Sequence, residues 1–228
     1  MLRVPVRALV SVFTLALLTK PDASYAESDV RTPSAATAPC AEVSPGARLH
    51  DGFFARSDTG IAVLFAQVSG RGPRSGIRAV GQSATISVGG TPARGLVIGG
   101  MVWTARLDPV FIEAGRTIHP DDDSVKITML RLGPFLDYYP DPRLGLHFQT
   151  ALQFSVQIES DVKGNAIDPP AVGAATSVGV GYEWFLSSEA SLGFLARTAL
   201  GDVVRTPVGG EEHQLWVVPE LGVTATYQ

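Results

Sequence analysis

From Arg143 to Ser160 the chain reads RLGLHFQTALQFSVQIES, and its residues alternate with a period of two. Leu144, Leu146, Phe148, Thr150, Leu152, Phe154 and Val156 share one parity, while His147, Gln149, Gln153, Ser155 and Gln157 share the other. Successive residues of a strand point to opposite faces, so this stretch is a strand with one apolar and one amide-rich face. The same period runs almost to the C-terminus and predicts eight strands, over 52–66, 77–89, 95–107, 125–138, 143–158, 173–186, 190–202 and 213–227. The segments between them alternate between long and short, from QVSGRGPRSG and GTPAR at the first two connections to SSE and VVRTPVGGEE at the last two. That alternation belongs to an up-and-down meander whose two ends face different compartments, with short turns at the inner end and long loops at the outer.

The remaining question is which face is dry. A soluble barrel covers its outside with Lys and Glu, yet beyond residue 26 the lysines are Lys126 and Lys163 alone. The polar parity is instead rich in Gly, Ser and Gln with isolated charges, which suits a narrow interior filled by side chains. In the sixth strand Val178, Val180, Tyr182 and Trp184 oppose Ser177, Gly179, Gly181 and Glu183, and in the eighth Leu215, Val217, Leu221 and Val223 oppose Gln214, Glu220, Gly222 and Thr224. Leu146, Phe148, Leu152 and Phe154 are therefore assigned to lipid, and His147, Gln149, Gln153 and Gln157 to the lumen. Phe53, Tyr138, Tyr139, Trp184 and Tyr227 gather near the short turns, the place of an interfacial aromatic girdle. The expected fold is all-β, an eight-stranded antiparallel up-and-down transmembrane β-barrel. Two strands fit less cleanly: Gln82 falls among Val80, Ala84 and Ile86, and Leu130 and Leu132 share a parity with Lys126 and Thr128, for which a register break at Gly133-Pro134 is the expected reason.

The N-terminus supplies the route to such a membrane. Arg3 and Arg7 precede an apolar run from Ala8 to Leu18 and then Ser24-Tyr25-Ala26, which reads as a secretory signal cleaved after Ala26. The apolar run is too short for a spanning helix. Residues 1–26 are thus a signal peptide, 27–49 a flexible periplasmic leader without periodicity, and 50–228 the barrel domain of the outer membrane. The one cysteine, Cys40, lies in the leader, so the chain forms no disulfide within itself. A formal charge of −4 gives no reason to expect nucleic acid as a partner.

Arg56, Asp58, Glu183, Arg197 and Glu220 all carry lumen parity, on strands that become contiguous when the barrel closes. Charges in a membrane barrel are costly unless paired, so together with His147, Gln149 and Gln153 they are expected to form a structural polar network. Other constellations lead to plainer readings. His147 with Ser155 or Glu183 lacks a nucleophile motif, and the acidic run Asp121-Asp122-Asp123, with Asp108, Glu113 and His119 nearby, lacks the ligand spacing of a calcium loop. Gly89-Gly90 and Gly99-Gly100 precede no helix and serve turning and packing rather than phosphate. No catalytic residue, cofactor or metal is expected.

The stretches HDGFFARSDTGIAV, GGTPARGLVIGG and GPFLDYYPDP resemble uncharacterised outer-membrane β-barrel proteins of the myxobacterial type, architecturally similar to small barrels of the OmpA and OmpX kind. The resemblance covers His50 to the end and implies a fold and a place, with outer-membrane lipid, lipopolysaccharide and the barrel-assembly machinery as partners. It implies no reaction. Gln228, following the alternating Leu221, Val223, Ala225 and Tyr227, departs from the aromatic last residue usual in such barrels. The expectation is a non-enzymatic outer-membrane barrel with a structural or surface-interaction role carried by its outer loops, the longest being Asp108 to Ser124. The alternatives are a soluble periplasmic barrel binding an apolar ligand and a lipid-modifying outer-membrane enzyme.

Overall fold

The computed structural model describes residues 52–70, 75–113, 125–161, 163–207 and 210–228, and the expected signal peptide, the leader with Cys40 and the Asp121-Asp122-Asp123 run lie outside them. Eight strands form one closed antiparallel barrel in sequence order: β1 Phe53–Ser69, β2 Ser75–Ala93, β3 Leu96–Glu113, β4 Lys126–Tyr138, β5 Leu146–Ser160, β6 Ala171–Phe185, β7 Ala190–Arg205 and β8 Glu212–Tyr227. Closure by β1 against β8 leaves no free edge, which a spanning sheet requires because lipid offers no hydrogen bonds.

The ladder also fixes the dimensions. Stepping across paired positions from Thr59 to Ala84, Thr104, Leu130, Val156, Val172, Val204 and His213 returns to β1 at Ser69, ten residues further along. With ~3.3 Å per residue and ~4.8 Å between strands, that stagger tilts the strands by about 41° and gives a backbone radius of about 8 Å. Such an interior has room for side chains and little else.

Several strands run further outward than the sequence pattern predicts. β1, β3 and β7 end at Ser69, Glu113 and Arg205, so the loop expected from Asp108 gives up its first six residues to a strand. Near its outer end β3 carries a bulge, one extra residue opposite Arg78 and Ala79 of β2, which lets the ladder continue past an irregular stretch. At the inner end β2 and β3 join through Arg94-Gly95, and Gly95 takes the left-handed φ of +73° that a tight turn asks for.

The register break expected at Gly133-Pro134 is absent. Pairing with β5 pauses there, but Leu132 with Phe154 and Phe135 with Ala151 keep one offset. Proline has no N–H to give to the ladder, so it interrupts bonding without shifting it. Lys126 and Thr128 share the outward parity of Leu130 and Leu132 because they lie at the outer end of β4, above the apolar surface. Pro219 has the same effect on β8: hydrogen bonding to β1 lapses opposite Val63 and Leu64 and resumes in register.

The outer surface is apolar. Phe148, Leu152, Phe154, Val178, Phe194 and Leu221 are each roughly half exposed, a position that would be untenable for so many large side chains on a soluble exterior. On β5 the outward run from Leu146 to Val156 covers ten residue steps, about 25 Å along the barrel axis at the tilt above, the height of an outer-membrane apolar band. Among the described side chains, the outward-facing acidic and basic residues of the strands are Arg78, Arg106, Asp108, Lys126, Asp202 and His213, all toward the outer end. Phe53, Tyr138, Trp184 and Tyr227 ring the inner end facing outward, whereas Tyr139, expected among them, is 1% exposed and points into the lumen.

Candidate functional site in the barrel lumen

The lumen is lined by buried side chains, and its charges fall into separate layers. Nearest the short turns, Arg56 of β1 donates through Nη1 to Asp137 Oδ2 at 2.5 Å and through Nη2 to Glu183 Oε1 at 2.8 Å, while its Nε donates to Thr226 Oγ1 at 3.1 Å. Tyr139 lies beside the same guanidinium, and Ser191 donates its hydroxyl to the second oxygen of Glu183 at 2.8 Å. Four strands, β1, β4, β6 and β8, thus meet at one arginine. His147 of β5 is fully buried, stacks on Tyr139 with ring centroids 5.0 Å apart, and sets Nδ1 2.8 Å from Asp137 Oδ1. Its ring occupies the space where a Cβ at Gly181 would sit, so the glycine of β6 is what admits it.

The middle layer is organised by Glu220 of β8. Its carboxylate accepts from Ser83 Oγ at 2.8 Å, from Trp103 Nε1 at 2.7 Å and from Arg197 Nη2 at 3.0 Å. Arg197 in turn donates to Thr85 Oγ1 at 2.7 Å, Gln149 Oε1 at 3.1 Å and Asp58 Oδ1 at 3.2 Å. In the low-dielectric interior a guanidinium so ringed is held in a single geometry, because each N–H lost costs more than it would in water. Just above, Arg131 of β4 lies flat on Trp103, its guanidinium carbon 3.4 Å from the ring centroid, with Trp216 on a further side at 5.6 Å. Its Nε and Nη1 have no hydrogen-bond partner among the described residues, and neither does the side chain of Gln153 nor the hydroxyl of Ser155.

Beyond this level the lumen turns apolar: Leu64, Leu107, Ile127, Met129, Trp216 and Val218 fill it. Gln157 and Gln214 then close on each other across the barrel by reciprocal amide hydrogen bonds of 3.1 and 3.0 Å. At the outer mouth Arg205 joins Glu212 at 2.7 Å and Glu159 at 2.9 Å, with Asp168 of the following loop at 3.6 Å. Asp161 organises that loop, accepting from the backbone N–H groups of Lys163 and Asn165 and from the Asn165 side chain, at 2.8 to 2.9 Å. The Asn165 amide, with these backbone donors, holds its carboxyl below the usual carboxylate range.

All eight residues singled out in the sequence lie in the lumen, and the structure divides them into separate groups. Glu183 and His147 belong with Arg56, whereas Asp58, Gln149 and Glu220 belong with Arg197, and Gln153 stands apart near Arg131. His147 and Ser155, considered as a catalytic pair, lie eight residues apart along β5, about 26 Å at the strand rise, and share no chemistry. Arg131 and Asp137 were missed by the sequence pattern because the inward parity of β4 also carries Met129 and Phe135, which hides the charges in an apolar run. Asp108, considered as an ion ligand, faces outward and pairs with Lys126 at 3.5 Å.

No family model matches the sequence, and no curated protein matches it either. Among solved structures the chain is similar to Neisserial surface protein A, with 17% identity and a TM-score of 0.46 over 77% of this chain and 96% of that one. It is also similar to the outer membrane protein OprG from Pseudomonas aeruginosa, with 11% identity and a TM-score of 0.48 over 79% of this chain and 98% of that one. A third is the outer membrane protein AlkL, solved in lipid bilayers, with 13% identity and a TM-score of 0.47 over 88% of this chain and 96% of that one.

Proposed function

We propose that the chain is a non-enzymatic outer-membrane barrel: a rigid, side-chain-filled peg that holds its outer loops at the cell surface. The observation that carries the reading is the inversion of the molecule, with Arg56, Arg197, Glu183 and Glu220 at most 7% exposed inside while Leu152, Val178 and Leu221 are more than 60% exposed outside. In water that arrangement exposes apolar surface and desolvates ions together. In a bilayer the first cost is removed, because lipid takes the apolar face, and the second is offset by the pairing of the ions with one another.

The packed lumen favours a scaffold over a channel or carrier. An apolar ligand needs a lined cavity, and the layer that such a ligand would enter is occupied by Trp103, Arg131, Trp216 and their neighbours. Interaction then falls to the four connections at the outer end, which loops on a rigid frame serve well. Outer-membrane lipid, lipopolysaccharide and the assembly machinery are the partners this reading entails, and the likeness to barrels of the myxobacterial type belongs to the same proposal.

Cell fractionation with a heat-modifiability gel tests it. The chain should remain with detergent-extracted membranes and migrate differently before and after boiling, and exchange of residues 114–124 for a Gly-Asn turn should preserve both properties while abolishing the surface phenotype of a deletion strain. Release with periplasmic contents contradicts the membrane reading, and survival of the phenotype contradicts the assignment to that loop.

A further inference from the structure

A recess of about 360 Å³ lies on the wall formed by β8, β1 and β2, lined by three consecutive residues of each strand: 215–217, 65–67 and 76–78. A space inside so narrow a barrel would touch the opposite wall. None of its lining residues comes from there, so the recess opens on the outer face.

Its rim is made by two rows of outward residues. Arg78, Phe65 and Val217 are directly paired across the strands in one row, and Gly76, Gln67 and Leu215 in the next. Gly76 opens the depression between them: a Cβ there would meet the carbonyl oxygen of Ala66 at 3.9 Å and no other heavy atom nearby. Phe65, Leu215 and Val217 present apolar walls. Arg78 is exposed and, among the described residues, has neither an ion pair nor a hydrogen bond from its side chain.

Position gives this recess its meaning. The two rows stand where the outward face changes from apolar to charged, the level of lipid headgroups if the barrel spans a membrane. Among the described side chains, Lys126 is matched by Asp108, and Asp202 sits beyond Leu215 on β7, three strands away. Arg106, paired with Gln82 four residues along β2, lies outside the lining of the recess.

From this we infer that the recess seats one phosphorylated acyl-chain lipid, with the Arg78 guanidinium holding the phosphate and the hollow beside Gly76 taking part of a chain. The inference rests on the membrane reading above. A guanidinium matches phosphate oxygens with two parallel donors, and the volume falls in the ordinary range for a small-molecule site. The neighbouring apolar residues would then bind the chain by the same burial that holds the rest of the band in lipid.

Native mass spectrometry of the full chain, released from vesicles containing phosphatidic acid or diacylglycerol with the same acyl chains, tests the inference. One phosphatidic acid should be retained per chain, and diacylglycerol should be retained far less. Arg78→Gln should lower retention about tenfold, the loss expected for a charged hydrogen-bonding contact. Gly76→Leu, which fills the hollow without a backbone clash, should do the same, and Arg106→Gln should leave retention within about twofold. Equal retention by wild type, Arg78→Gln and Gly76→Leu overturns the site, as does equal retention of the two lipids. Normal insertion and heat modification in these variants keeps such a failure separate from a failure of the membrane reading, which would show as recovery in the soluble fraction.

Discussion

Glu220→Ala perturbs the middle layer of the lumen at the group that joins most of it. The substitution removes the acceptor of Ser83, Trp103 and Arg197 at once. Breaking one side of a buried ion pair costs about 3–5 kcal/mol, and each neutral donor left unsatisfied adds about 1 kcal/mol or more. Against this, Arg197 keeps Asp58, Thr85 and Gln149, which together continue to satisfy part of its guanidinium. The net loss should therefore be about 4 kcal/mol, below the simple sum of about 5–7 kcal/mol. Urea unfolding in lipid vesicles, followed by the folded and unfolded bands of an unboiled gel, measures it. Glu220→Gln, which keeps the shape and one acceptor, should lose about half as much, and Glu220→Ala combined with Arg197→Met should recover part of the loss. A change below about 0.5 kcal/mol for Glu220→Ala, the size expected of a surface site, would mean that the middle layer is solvated and the ion-pair argument wrong.

Arg131→Met should change stability by less than about 1 kcal/mol in the same assay, because the lost cation–π attraction is offset by removal of two unpartnered buried nitrogens; a loss as large as that of Arg197→Met would show that Arg131 has acceptors of its own. Gly181→Ala should cost about 2 kcal/mol, since the new methyl overlaps the His147 ring, and an unchanged unfolding midpoint would place the ring elsewhere. The Asp161 carboxyl is held low in the folded loop, so its stabilisation is complete above the unfolded carboxylate range and is lost as pH falls through the lowered value. Amide exchange at Lys163 and Asn165, corrected for intrinsic rate, should lose protection on acidification in the wild type, and Asp161→Asn should remove most of that pH dependence; identical profiles would contradict the loop account.

The strand pattern was legible because the barrel imposes one period on every strand and the two faces meet different solvents. On β5 and β6 the outward residues are mostly apolar and the inward ones small or polar, so parity separates them, and β8 follows the same rule except where Trp216 and Val218 turn inward. β4 resisted the same reading for a physical reason. Its inward side crosses both an ionic layer, at Asp137, and apolar layers, at Met129 and Phe135, while its outward side leaves the apolar band at Thr128 and Lys126. Tyr139 was misplaced because it follows Tyr138 in the sequence, and only the strand register shows which of the two faces the lumen. The lumenal residues were recognisable as a set, but their partners were not: Glu183 meets Arg56 through closure of the barrel, over 127 residues of chain. The recess at Gly76 depends on three strands from both ends of the sequence and has no local signature.

Site-directed labelling tests the central claim, that the apolar face of the barrel meets lipid and the charged face does not. With Cys40 replaced by serine, single cysteines at Phe148, Leu152, Gln149 and Gln153 sample adjacent positions of β5 whose side chains point to opposite faces. In proteoliposomes, a maleimide probe dissolved in the bilayer should modify the cysteines at Phe148 and Leu152 and spare those at Gln149 and Gln153. Modification of the Gln149 and Gln153 positions with protection of the other two would contradict the account, because the apolar face would then be the inside of a soluble barrel.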